Sequence, residues 1–214
     1  MCGRYELKAK ARELNKQFPT LRLGQSDMPG SSEIRPTDPV LIITSDANGY
    51  QGSKARWGLV GHFLDHAPHS PLINLRSEGL TVKPFYSKIL KRHRCLIPAT
   101  AFYEWQSFAG GKQKIRISRP TGETLMFAGI FDHHPNAGTT CAILTTAADT
   151  TICAIHQRMP LILGREESSF WLDDYAEFPD SEFETLLRIP VQPSLNIEAV
   201  IEEAPSPQLS LVFT

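Results

Sequence analysis

The chain has 214 residues, 41% of them apolar and 21% charged, enough for one domain with a sizeable core. Its 22 Lys and Arg meet 23 Asp and Glu, a formal charge of −1. That balance excludes a polycationic tail of the kind that coats nucleic acid, and leaves room for a local basic groove. Sixteen prolines and fourteen glycines argue against a bundle of long helices and for many short, bounded elements.

No stretch approaches the ~18 apolar residues of a membrane span, and the first residues lack the basic and apolar run of a signal peptide. A cytoplasmic or nuclear protein is expected, with no membrane partner. The cysteines Cys2, Cys95, Cys141 and Cys153 contain no CxxC pair, so neither a zinc module nor a disulfide scaffold is expected. Cys95, Cys141 and Cys153 sit in or beside apolar runs and read as small core residues.

Taken in chain order, Leu7, Ala11, Leu14 and Phe18 recur at helical spacing and predict a short helix over 7–18, closed by Pro19. Residues 22–38 read as loop. Val40–Thr44 is a buried strand followed by an Asp46–Gly49 turn, and Lys54–Val60 is a second strand carrying Trp57. Residues 61–72, with His62, His66 and His69 among prolines, read as an exposed loop and not as a metal site. Thr81–Arg92 predicts a helix with Phe85, Ile89 and Leu90 inward. Cys95–Ile97 is a strand stopped by Pro98, and Ile115 and Ile117 alternate with Lys114 and Arg116 in a strand with a basic face. Thr124–Phe131 and Thr140–Thr146 form a hairpin. Helical turns follow at 149–156, short helices at 168–175 and 180–188, and an extended segment at Pro190–Val200. With no regular βαβ alternation, this order fits a mixed α+β class.

Cys2 is the most informative position. Removal of Met1 leaves a 1,2-aminothiol, with an amine of pKa roughly 8 beside a thiol of pKa roughly 8.5. Such a pair forms an imine with an aldehyde and closes to a thiazolidine, or attacks an amide with its own amine as base. Alone, a cysteine at position 2 is also what chance or packing supplies. Glu104, inside Phe102-Tyr103-Glu104-Trp105, is costly to bury without a partner, and burial suits it to acid–base work. A salt-bridged structural Glu is the competing reading. His156, before Arg158-Met159-Pro160, is either a proton carrier or an uncommitted loop histidine. Asn74 and Arg76, two apart, share a face if their segment is a strand. Arg4, Arg76 and Arg158 can bind phosphate. Trp57 and Trp105 either stack on bases or fill the core.

Together these residues resemble the SOS response-associated peptidase (SRAP) family. The matching stretches run in order from Met1-Cys2-Gly3-Arg4-Tyr5 through Arg35-Pro36-Thr37, Trp57-Gly58-Leu59, Asn74-Leu75-Arg76-Ser77-Glu78, Arg94-Cys95-Leu96-Ile97-Pro98 and Phe102-Tyr103-Glu104-Trp105. They continue with Ala128-Gly129-Ile130-Phe131, Leu144-Thr145-Thr146-Ala147-Ala148 and His156-Gln157-Arg158-Met159-Pro160. The resemblance implies a single compact α+β domain over 1–214, with largely antiparallel sheets or a barrel and short helices around a single-stranded DNA channel. It implies a protein that traps abasic sites through a thiazolidine on processed Cys2, with autoproteolytic loss of Met1, crosslink reversal and side lyase activity. No metal or cofactor is implied.

By the same resemblance, Cys2 is the crosslinking nucleophile, Glu104 the acid–base and His156 an aid to proton transfer and reversal. Asn74 and Arg76 position the abasic sugar and its phosphate. Thr145 lies near the pocket, and Arg4, Arg158 and Trp57 contact DNA. A monomer with replication-associated partners is expected, cytoplasmic and nucleoid-associated if bacterial. The chain departs from the family pattern at Glu33, where Asn is common, at Gly61, where Pro is common, and at Leu75, where Ala is common. A carboxylate at Glu33 repels a DNA backbone unless Arg35 pairs with it. Two other classes compete: a cysteine peptidase acting on proteins, and a non-enzymatic single-stranded nucleic-acid binder.

Overall fold

The computed structural model describes residues 2–24, 30–173, 184–187 and 194–201. The elements, in order, are β1 (Arg4–Leu7), α1 (Ala11–Gln17), β2 (Ser31–Ile34), β3 (Pro39–Asp46), β4 (Gly49–Trp57), β5 (Asn74–Arg76) and α2 (Pro84–Arg92). Then come β6 (Arg94–Ala99), β7 (Ala101–Phe108), β8 (Gly111–Ser118), β9 (Leu125–His134), β10 (Gly138–Ala147), β11 (Arg158–Pro160), β12 (Ile162–Leu163), α3 (Arg165–Leu172) and β13 (Asn196–Ala199). This is the α+β class expected, with mostly antiparallel strands and short helices.

The strands form two sheets. One runs β13-β8-β7-β1-β2. In the other, β9 pairs with β6 and β10, and β10 pairs with β4, so β4, β3, β6, β9 and β10 close into a ring. Closure removes sheet edges, and two residues of β10 pair on both sides: Thr140 with Asp132 and Arg56, and Cys141 with Phe131 and Trp57. The core lies inside this ring and between the sheets. Buried Trp57 meets Tyr5 edge-on at 5.2 Å, and Tyr5 meets Phe127 at 6.0 Å.

Several elements differ from the sequence reading for identifiable reasons. Leu7 ends a strand and does not start a helix, because Arg4–Leu7 is taken into the ladder between β7 and β2. The helix begins only at Ala11, where the Lys10 N–H donates to Glu13 Oε2 at 2.6 Å. The loop expected over 22–38 contains β2, whose polar Ser-Ser-Glu becomes a strand by pairing Ile34 with Tyr5. Pro98 does not stop β6. The strand runs to Ala99, and its ladder with β3 is confined to Leu96, so the proline falls where that side has no partner to lose. Cys153, read as core, is exposed, because Ile152 takes the inward side of its turn. The helix expected at 168–175 spans Arg165–Leu172, and most of 180–188 lies outside the described residues.

Two buried ionic groups organise the fold. The Arg94 guanidinium donates to the carbonyls of Leu90, Trp171 and Asp173, at the ends of α2 and α3, where helix carbonyls run out of intrahelical donors. Glu6 lies inside the first sheet. Its carboxylate accepts from Arg116 at 2.7 Å and Tyr103 Oη at 2.8 Å, and pairs with Lys8 at 3.0 Å. Burial pushes the Glu6 carboxyl up, but the bonds from Arg116, Tyr103 and Lys8 outweigh it and hold it below the usual range. The same contact raises the Tyr103 phenol to about 12, after burial as the larger cause.

Glu6→Ala is expected to destabilise the protein by about 3 kcal/mol in urea unfolding, the low end for a broken buried pair because Arg116 keeps some water. A folded-state pKa below the unfolded value gives stability that is present above roughly pH 4.3 and fades as pH falls through the lower folded value. Wild type is therefore expected to lose stability across that acid window more steeply than Glu6→Ala.

Candidate functional site

Cys2 leads directly into β1 and is fully buried. Its thiol faces the Arg4 carbonyl at 3.6 Å. Its own carbonyl accepts from Asn74 Nδ2 at 2.8 Å. Asn74 opens β5, which pairs in parallel with β10 of the other sheet, so this bond ties the two sheets together at the cysteine. Asn74 Oδ1 is buried and accepts no hydrogen bond among the described residues, which leaves an acceptor beside Cys2 for an incoming donor.

Glu104 reaches the same place through β7. Arg4 pairs with Tyr103 across β1 and β7, so the next residues outward are Gly3 and Glu104. The carboxyl is almost wholly buried. Burial pushes its pKa up, and the positive charges of the chain's amino terminus and of His156 pull it partly back. Burial also pushes the Cys2 thiol well up, and the Glu104 charge adds to that shift. Burial thus disfavours the charged form of both groups.

His156 is set by the turn before β11. Asp149 Oδ1 caps that turn, accepting from the N–H groups of Thr151 and Ile152 at 2.9 and 2.8 Å. The His156 N–H then bonds the Ile152 carbonyl at 3.0 Å. His156 Nδ1 accepts from the Arg158 N–H at 2.9 Å and lies 3.1 Å from the Arg158 carbonyl. Either protonation state of that nitrogen finds a partner, which suits a ring that takes and returns a proton.

Cys2, Asn74, Glu104 and His156 are thus gathered at the junction of the sheets. Thr145 is buried beside them, donating to the Leu75 carbonyl at 3.2 Å, and is opposite Arg76 in register. Arg76 is exposed at the mouth. Arg158 is engaged: it binds both oxygens of Glu78, at 2.6 and 2.8 Å, and the Thr145 carbonyl. Its guanidinium braces the loop that carries His156. Arg4 donates to the Gly3 carbonyl at 2.7 Å.

Trp57, expected among the DNA contacts, is corrected to a core residue. Its indole N–H donates to the Ile73 carbonyl at 2.9 Å and no face of the ring is exposed, so a base cannot stack on it. The exposed tryptophan is Trp105, at 38%, on the face of β7 opposite Glu104. Lys114 Nζ lies 5.8 Å from its ring and 4.6 Å from that of Tyr103. Glu78 is the site-bordering residue that the sequence does not signal: its contact with Arg158 joins residues 80 positions apart and leaves no local trace.

A closed strand ring joined to a second sheet, with a buried cysteine at the chain start and an acid and a histidine beside it, defines a narrow class of protein. The profile of the family described as SOS response associated peptidase (SRAP) matches residues 1–206, and the chain belongs to that family. It is 34% identical over 188 residues to the abasic site processing protein YoqW of Bacillus subtilis, covering 84% of each chain. It is 25% identical over 183 residues to the abasic site processing protein YedK of Escherichia coli, covering 80% of this chain and 79% of that one. A crystal structure of a protein from Bordetella bronchiseptica matches its fold with a TM-score of 0.78 at 22% identity, over 94% of this chain and 100% of the other.

Proposed function

We propose that this protein binds single-stranded DNA and captures abasic sites covalently through the processed Cys2, shielding the lesion. The observation that carries this reading is the junction itself: Cys2, Glu104, His156 and the unused Asn74 Oδ1 meet there, and Arg76, on the strand that Asn74 opens, is exposed. The relatives named for abasic site processing support it. Met1 lies outside the described residues, and its removal, by hydrolysis of the Met1–Cys2 peptide bond, frees the amine the chemistry needs.

The steps balance without a cofactor. An abasic sugar exchanges between a closed hemiacetal and an open aldehyde. Glu104 gives a proton to the ring oxygen as the C1′–O bond breaks, and the hydroxyl proton passes to a base such as His156. The Cys2 amine attacks C1′ to give a carbinolamine, and loss of water gives an imine. The thiol sulfur adds to the imine carbon while its proton goes to the nitrogen, closing a thiazolidine. With C1′ saturated, the imine that drives β-elimination is gone and the strand is preserved. The burial that keeps the thiol protonated also keeps it from oxidation before the aldehyde arrives.

The test uses protein whose mass confirms loss of Met1, mixed with an oligonucleotide carrying one abasic site. A heat-stable adduct on a denaturing gel is expected, with none on the intact oligonucleotide. No adduct from protein with a free Cys2 amine overturns the reading. Turnover of a peptide in trans would put a cysteine peptidase in its place.

A further inference from the structure

Resting on the DNA-binding reading above, we infer that Arg4, Arg35 and Lys114 form a seat for one strand phosphate, which the Glu33 carboxylate fills in the free protein. The seat is read from one carboxylate and the cations around it. Glu33 Oε1 accepts from Arg35 Nε at 3.0 Å and from its terminal nitrogen at 2.8 Å. Oε2 accepts from Lys114 Nζ at 2.6 Å. Arg4 Nε stands 3.6 Å from Oε1. These contacts, Lys114 foremost, hold the Glu33 carboxyl below its usual range.

A carboxylate and a phosphodiester are alike to such donors. Each is a single negative charge offering two terminal oxygens, and an arginine fork accepts either. Three cations around one acid leave the cluster two charges positive, so it still attracts an anion. Glu33 is free to leave: β2 is the edge strand of its sheet, and its side chain is partly exposed. The Arg35 side of the cluster is exposed, where ion pairs are individually weak, while Lys114 is largely covered, so displacement needs a strand that is anchored elsewhere as well.

Arg4 follows Cys2 by two residues, at the head of β1. Lys114 lies over Tyr103 and near Trp105, which in a strand face away from the side that Glu104 faces, so the seat takes a phosphate of the strand beyond the trapped sugar and not the sugar's own. The carboxylate acts as a resident competitor. A lone phosphate gains little by replacing it, while a strand that also reaches Arg76 gains more. The departure at Glu33 thereby tunes strand affinity without touching the reacting atoms.

The test measures binding of an unmodified oligothymidylate, which has no aldehyde, by fluorescence anisotropy across a potassium chloride series. Glu33→Gln keeps the size of the side chain and removes its charge. It is expected to bind about tenfold tighter at low salt, with the gap narrowing as salt screens the repulsion. Equal or weaker binding by a variant that melts like wild type overturns the inference, since Glu33 would then only arrange the cations. On wild-type protein the Arg35 Nε–H resonance is expected to move when the oligonucleotide is added, and a resonance that stays also overturns it. If either fails while abasic DNA is still captured, the seat alone falls. Wild type that neither binds single strands nor forms the adduct overturns the functional reading, and the seat with it.

Discussion

Cys2→Ala protein, processed to a free α-amine, is expected to give no heat-stable adduct with abasic DNA, a loss of at least about 100-fold in yield. The substitution removes only the sulfur. The alanine amine still attacks C1′, so an imine forms but cannot close to a ring. That intermediate is expected to be trapped by borohydride and, left alone, to cleave the strand by β-elimination. Binding of unmodified single strands is expected to stay at the wild-type level, because Arg76, Lys114 and Trp105 are untouched. The fold is expected to lose about 1 kcal/mol, as for a small truncation in a buried place. A normal adduct from this variant removes Cys2 from the chemistry and with it the thiazolidine mechanism.

The sequence exposes those parts of the fold whose pattern is local. Apolar runs mark β3, β9 and β10, since a strand buried on both faces needs no partner to be recognised. β2 carries Ser31, Ser32 and Glu33, and only its pairing with β1 makes it a strand. Leu7 completes a convincing helical period with Ala11, Leu14 and Phe18, yet the ladder with β2 takes it. Tertiary pairing overrides propensity there.

The site divides the same way. Cys2, Asn74, Glu104 and His156 stand out by residue type, because each is unusual in its setting. What the side chains touch was not legible. Arg158 stands out as a cation, but its pairing with Glu78, 80 residues away, does not. Glu33 reads as a repulsive intrusion until Lys114, 81 residues away, joins Arg35 on its carboxylate. Trp57 and Trp105 are indistinguishable as letters, and only the closed ring decides which is enclosed.

Glu104→Gln tests the acid–base half of the mechanism. Glutamine keeps the shape and hydrogen bonding of the side chain but cannot deliver a proton. Adduct formation is expected to slow by about 100-fold, the usual lower range for losing a general acid or base. Stability should move the other way. Burial raises the folded-state pKa of Glu104 above its unfolded value, so its contribution is fully present at pH below the unfolded value and is lost as pH rises through the folded one. At neutral pH the buried carboxyl is then a liability that the neutral amide lacks, and the variant is expected to melt at or above the wild-type temperature. The pH profiles separate this from a packing effect. Wild-type adduct formation should carry a descending limb as Glu104 loses its proton, and that limb should be missing from Glu104→Gln. Unchanged kinetics in a folded variant would leave His156 as the remaining proton carrier and take Glu104 out of the reaction.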